Sequence, residues 1–276
     1  MAEALAGAHP GVEADSAGVA ATAGSAISEG ARRALAGAGL AVPEHASQEP
    51  SVERMVWADW VLAMTRGQKL ELIRRYPWAK DWVRTLGEWA GSGEDVEDPI
   101  GSSDRVYQAT MTHISKLIDS GLATQQVGPR YQAVAGADHA GYQMKDRLLA
   151  QLPTPVLDVG THDATSVDYP NFAEVVAALV GQGRAQVGLL VCGTGIGMSI
   201  AANKLPGVRA AVVFDVSSAH LARAHNNANV ICFGERLIGP VVAEDALREF
   251  LHTEFEGGRH ARRIAEIGAL EGHKWP

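Results

Sequence analysis

Between residues 131 and 234 the chain alternates five short apolar runs with stretches of helical composition, and this alternation constrains the fold more than any other feature. The runs are YQAVAGAD, PVLDVG, VGLLVCG, VRAAVVFD and ANVICFG, and segments such as GYQMKDRLLAQL and PNFAEVVAALVGQG lie between them. Runs that are apolar at nearly every position suit strands covered on both faces. Helices between such strands supply the crossovers of a parallel sheet. Residues 130–276 are therefore expected to form a doubly wound α/β domain around a five-stranded parallel sheet.

The preceding residues carry no such pattern. Residues 1–50 are dominated by Ala, Gly, Ser and Glu and contain no aromatic residue. Such a segment buries too little apolar surface to offset the entropy of ordering it, so a disordered tail is expected, with a transient helix at residues 27–40. Residues 51–125 read as a small helical module holding five of the six tryptophans, Trp57, Trp60, Trp78, Trp82 and Trp89. Val56, Trp60, Ala63 and Met64 share one face at helical spacing, Leu70, Ile73 and Arg74 suggest a second stripe, and Pro77 suits the first position of another helix. The tryptophans are expected to fill this module's core, with a partner-binding groove as the alternative. GSGEDVEDPIGSS reads as an acidic linker, residues 104–122 as an amphipathic helix ending at Gly121, and residues 125–129 as a boundary.

A formal net charge of −8 argues against general binding to nucleic acid or a membrane surface, which needs a basic face. The two cysteines, Cys192 and Cys232, are far apart and lack metal-site spacing, so neither a disulfide framework nor a cysteine zinc site is expected. No run of about 18 apolar residues occurs, and the start carries acids where a signal peptide would be basic. A soluble, cytoplasmic protein is the expectation.

Ligands of doubly wound sheets sit beyond the carboxyl ends of the strands. Three of these places are chemically loaded: Asp138-His139 after the first run, Cys192-Gly193-Thr194-Gly195 after the third, and His225-Asn226-Asn227 before the fifth. A dinucleotide cradle fits the glycine loop poorly, although Asp215 lies about twenty residues on, where a ribose-binding acid would be. Gly193, Gly195 and Gly197 form G-x-G-x-G, Met198 occupies the third fingerprint position, and no G-K-[ST] follows. Backbone amides at such a turn serve equally to stabilise an anionic reaction intermediate. Cys192, at the turn, is either a catalytic thiol or buried packing; Cys232 reads as core.

With these residues assembled, residues 131–272 resemble the ribose-5-phosphate isomerase B family, which includes galactose-6-phosphate isomerase subunits and tetrose-phosphate isomerases. The stretches that carry the resemblance are GADHAGYQMKDRL, DVGTHDATSVDYPNFA, CGTGIGMSIAANKLPGVRAAV, SAHLARAHNNANVICFGERLIG and FEGGRHARRI. The resemblance implies a Rossmann-like fold and interconversion of an aldose and a ketose phosphate, with ribose 5-phosphate and ribulose 5-phosphate as the default pair. A tetrose or hexose phosphate substrate, or a sugar-phosphate-sensing protein, is the alternative. It implies Cys192 as the base, Thr194 and the amides of Gly193, Gly195 and Gly197 around the enediolate, and His225 as the ring-opening acid/base. Asp138, His139, Tyr169 and Asn226 match sugar-binding positions, and Arg236, Arg259 and Arg263 match a phosphate clamp. It also implies no metal, no cofactor, and a homodimer or homotetramer with pockets completed by a neighbouring subunit. Ala137 stands where the family often has Cys or Ser, and Asn227 where Asp is frequent. The first 125 residues lie outside the resemblance.

Overall fold

The structure is a computed structural model and describes residues 1–21, 24–42, 46–124 and 128–271. It divides into two compact units, Met1–Gly128 and Pro129–Pro276. Of the boundary expected at residues 125–129, residues 125–127 lie outside the described residues, and the division falls at their end.

The first unit departs from the expected tail and helical module. It contains α1 (Ala2–Ala6), α2 (Glu29–Gly37), α3 (Val52–Trp57), β1 (Val61–Ala63), α4 (Arg66–Arg75), a single 3₁₀ turn at Pro77–Ala79, β2 (Val83–Thr85), α5 (Leu86–Trp89) and α6 (Asp104–Ala123). The alanine-rich start is packed: Leu5 joins an apolar cluster with Leu86, Trp89, Ile114, Leu117 and Ile118, while Ala31 and Ala34 meet Tyr107. The reason is close approach, since a Cβ on Gly30 would come within 2.3 Å of the Tyr107 ring. Small residues contribute here by letting an aromatic neighbour in, which composition does not reveal. Ser28 caps α2 by accepting from the Ala31 amide.

The helical stripe expected through Val56, Trp60, Ala63 and Met64 is broken, because α3 ends at Trp57 and residues 61–63 pair in parallel with residues 83–85. The stripe at Leu70 and Ile73 is also misplaced: Leu72 is the buried residue of α4 and Leu70 is 66% exposed. Pro77 opens one 3₁₀ turn rather than a longer helix. The acidic stretch at residues 91–103 joins α5 to α6 within the unit and is no boundary, and Gly121 lies inside α6, its Cα facing the Trp89 ring. Trp78, Trp82 and Trp89 are buried as expected for a core, and the Trp82 indole N–H donates to the Met55 carbonyl at 2.9 Å, but Trp60 is only half-buried and Trp57, at the end of α3, is 43% exposed, so the core takes three of the five tryptophans.

The second unit runs β3 (Tyr131–Ala137), α7 (Tyr142–Leu149), β4 (Val156–Asp158), α8 (Tyr169–Gly181), β5 (Ala185–Cys192), α9 (Ile196–Ala202), β6 (Ala210–Val212), α10 (Val216–Ala224), β7 (Val230–Gly234), α11 (Pro240–His252) and α12 (Arg259–Gly268). All five apolar runs are strands of one parallel sheet in the order β4-β3-β5-β7-β6. The central strands are buried along almost their whole length, which is why they read as continuous apolar runs. One packed cluster includes Leu148, Leu189, Ile231, Phe233, Leu247 and Phe250. The chain leaves β3 toward the β4 edge and crosses back to β5, so strand order reverses between β3 and β5. That crevice is where an open α/β sheet presents its ligand site. Among the described residues no helix is long and apolar enough to cross a membrane.

Candidate active site

The β3 and β5 ends bring two of the loaded turns together. Ala137 pairs with Val191, and the Asp138 amide donates to the Val191 carbonyl at 3.2 Å. The buried Asp138 carboxylate accepts from the Ala140 amide at 2.9 Å and so closes the turn on itself. Gly141 is required at this turn, because a Cβ there would lie 2.5 Å from the Val191 carbonyl carbon and oxygen. The His139 Nδ1 accepts from the Val167 amide at 3.2 Å, which leaves the proton of the neutral ring on Nε2.

Cys192 ends β5 and is 5% exposed. Its sulfur accepts from the Gly195 amide at 3.1 Å, which holds the side chain against the turn. Gly195 has φ +76°, a left-handed conformation in which a side chain would be strained, and it caps α9. Thr194 Oγ1 faces the Ile196 amide at 3.4 Å. Two side chains from other elements close on the glycines. A Cβ on Gly193 would sit 3.3 Å from the Arg236 Cζ, and one on Gly197 would sit 2.7 Å from the Tyr169 Cζ. The glycines thus let a cation and a phenol approach the backbone next to Cys192. Cys232 lies in the neighbouring strand β7, and burial pushes its thiol up, with Cys192 adding to the effect. It stays a protonated core residue.

A second group gathers around His225, the C-cap of α10. The exposed Asn226 follows, and Asn227 turns the chain at φ +44°, a conformation asparagine tolerates. The His225 ring stacks on His260 with centroids 4.2 Å apart and planes 7° from parallel. Glu256 places a carboxylate oxygen 3.7 Å from the His225 Nε2 and 3.8 Å from the His260 Nε2. Arg259 and Arg263 lie one turn apart on α12, as their spacing implied. Among the described residues, Arg236, Arg259 and Arg263 form no ion pair with a carboxylate, whereas Arg74, Arg248 and Arg262 each do. Three unneutralised guanidiniums are suited to an anion.

Two clusters carry metal-ligand atoms, His225/Glu256/His260 and Asp146/Asp158/His162. In each the chain's own cation engages the donors. Arg259 Nε donates to the His260 Nε2 at 3.2 Å. The wholly buried Lys145 ammonium lies 2.6 Å from Asp158 and 3.0 Å from Asp146.

The structure therefore brings Cys192, Gly193, Thr194, Gly195, Gly197, Tyr169 and Arg236 together, with Asp138 and His139 on the adjoining turn. It brings His225 together with Arg259, and sets Arg263 one turn further along α12. Among the described residues no hydrogen bond, ion pair or ring contact joins these two groups. Sequence reasoning missed His260 and Glu256. Both lie in the FEGGRHARRI stretch, but only the spacing of its arginines was informative.

Comparison with known proteins assigns each unit a likeness. The sequence model of the family described as Ribose/Galactose Isomerase matches residues 133–267, and that of the family described as low molecular weight phosphotyrosine protein phosphatase matches residues 1–129. The ribose-5-phosphate isomerase B of Escherichia coli is 42% identical over 139 residues, covering 49% of this chain and 93% of that protein. The D-erythrulose-4-phosphate isomerase of Pectobacterium atrosepticum is also 42% identical, over 140 residues, covering 49% of this chain and 92% of that protein. The solved Clostridium thermocellum ribose-5-phosphate isomerase B is 45% identical, with a TM-score of 0.49 and coverage of 50% of this chain and 96% of that one. The phosphatase-family match covers residues that lie outside the resemblance carried by the second half. Both cysteines of the chain lie in the second.

Proposed function

Since the chain belongs, over residues 133–267, to the ribose/galactose isomerase family, we propose that it interconverts an aldose phosphate and its ketose, with ribose 5-phosphate and ribulose 5-phosphate as the pair. The observation that carries this reading is the Cys192 thiol held by the Gly195 amide at 3.1 Å beside a glycine turn. It sets a base and a row of amide donors side by side, which proton transfer through an enediolate needs.

His225 gives a proton to the ring oxygen while water takes the proton of the anomeric hydroxyl and returns one to His225, and the furanose opens to the aldehyde. The Cys192 thiolate takes the proton from C2. The released electron pair forms the C1–C2 double bond, and the carbonyl oxygen becomes an enediolate oxygen. The amides of Gly193, Gly195 and Gly197 and the Thr194 hydroxyl stabilise that charge. Cys192 returns the proton to C1, and a proton passes from O2 to O1, which yields the ketose. No metal, cofactor or external oxidant enters the balance. Asp138, His139, Tyr169 and Asn226 hold the sugar hydroxyls, and Arg236, Arg259 and Arg263 hold the phosphate. A reducing, cytoplasmic setting fits a base that must remain a free thiol, and both cysteines are free.

The Cys192 and His225 groups are completed across copies of the chain, in a homodimer or a pair of dimers. Among the described residues no hydrogen bond, ion pair or ring contact joins the two groups within one chain, which supports this. A four-carbon aldose phosphate is the second reading, because the D-erythrulose-4-phosphate isomerase is as similar, at 42% identity, as the E. coli ribose-5-phosphate isomerase B. The test is an assay of tetrose, pentose and hexose phosphates on the protein, on Cys192→Ala, on His225→Asn, and on the two variants unfolded and refolded together. Turnover is expected to be fastest on ribose 5-phosphate. The mixture should regain about a quarter of wild-type activity, since half of the dimers pair one intact thiol with one intact histidine. No isomerisation of any sugar phosphate refutes the reading, and a mixture no better than its parts places each site within one chain.

A further inference from the structure

His260 has no part in the reaction above, yet it is the only histidine among the described residues that is buried, at 7% exposure. Its ring meets the two functions assigned to its neighbours. One face stacks on His225, with centroids 4.2 Å apart and planes 7° from parallel. Its Nε2 accepts from the Arg259 Nε at 3.2 Å. Guanidinium nitrogens only donate, so this bond requires a lone pair on the His260 Nε2 and leaves the proton of a neutral ring on Nδ1.

We infer that His260 is a positioning residue that fixes the ring plane of His225 and the orientation of the Arg259 guanidinium at the same time. This rests on the ring-opening and phosphate-binding roles proposed above. The stack restricts a half-buried histidine at a helix C-cap to one orientation, as proton delivery to a ring oxygen demands. The bond to Arg259 engages Nε and leaves both terminal amines for a phosphate. A neutral His260 serves both ends, since a protonated one would repel Arg259 and a protonated His225. Its surroundings favour that state. Burial, then the charges of His225, Arg259 and Arg263, hold its pKa below the ordinary histidine range, and among these neighbours Glu256 alone acts in the other direction.

Two substitutions separate the two contacts. His260→Gln keeps an acceptor close to Nε2 but loses the stacked ring. His260→Phe keeps a ring but loses the acceptor. His260→Gln is expected to lower kcat on ribose 5-phosphate about tenfold in the wild-type background and to cost nothing further in His225→Asn, because its effect passes through His225. His260→Phe is expected to raise KM more than it lowers kcat and to weaken binding of inorganic phosphate about tenfold by calorimetry, a readout that needs no turnover. Equal losses from His260→Gln with and without His225, or phosphate binding by His260→Phe as tight as in wild type, overturn the inference. The ring-opening reading is decided separately. His225→Asn alone should harm ribose 5-phosphate turnover much more than that of a four-carbon aldose phosphate that cannot close a furanose ring. Equal harm removes that reading and leaves the coupling of His260 to His225 to stand or fall on the cycle.

Discussion

Gly30 in the first unit and Gly197 in the second meet the same physical situation, an aromatic ring lying where a methyl group would go. A Cβ on Gly30 would come within 2.3 Å of Tyr107, and a Cβ on Gly197 within 2.7 Å of Tyr169. The rings differ in what surrounds them. Tyr107 is buried among Ala31, Ala34 and Ile27, whereas Tyr169 is 38% exposed at the rim of the Cys192 turn. Missing side chains therefore serve density in the first unit and access in the second. Close packing around a glycine is not by itself the mark of a functional loop; a polar group held in the space beside it is.

On that contrast, the largest effect on isomerisation is expected from chemistry rather than packing. Cys192→Ala removes the proposed base and little volume, so kcat should fall by at least about a hundredfold while the thermal midpoint barely moves. Activity within a few-fold of wild type would remove the thiol from the mechanism. Gly197→Ala should follow with about a tenfold loss in kcat/KM, because the partly exposed Tyr169 can swing aside, leaving the fold intact and the sugar poorly held. Unfolding instead of a kinetic defect would show that this glycine, too, serves density. A chain beginning at Pro129 should keep kcat within about threefold, since its sheet and covering helices form their own core. A soluble shortened protein slowed more than about tenfold would give residues 1–128 a part in the reaction. Gly30→Ala should leave the isomerase kinetics unchanged while costing the first unit about 1–3 kcal/mol by overpacking against a buried ring. Denaturant unfolding followed by tryptophan emission reads that loss, because Trp78, Trp82 and Trp89 are buried in that unit.

The second unit was legible because strands buried on both faces need apolar residues at every position, a requirement written in adjacent residues. The first unit was not, for two reasons. Its strands span only three residues each, too short to show a period, so Trp60, Ala63 and Met64 passed for a helical face. Its first helices are held by alanine and glycine, whose contribution depends on the ring they face, and Tyr107 lies 77 residues beyond Gly30 in sequence.

The amino-acid sequence alone determined the five-stranded parallel sheet, the glycine turn beside Cys192 and the pairing of Arg259 with Arg263 on one helix face, since each follows from the spacing of near neighbours. Tertiary structure alone decided that His260 lies on His225, 35 positions earlier. It also decided that Arg236 and Tyr169 close on Gly193 and Gly197, and that, among the described residues, no hydrogen bond, ion pair or ring contact joins the Cys192 group to the His225 group. These depend on where separate turns meet in space, and local spacing carries no information about side chains that touch only after the sheet has formed.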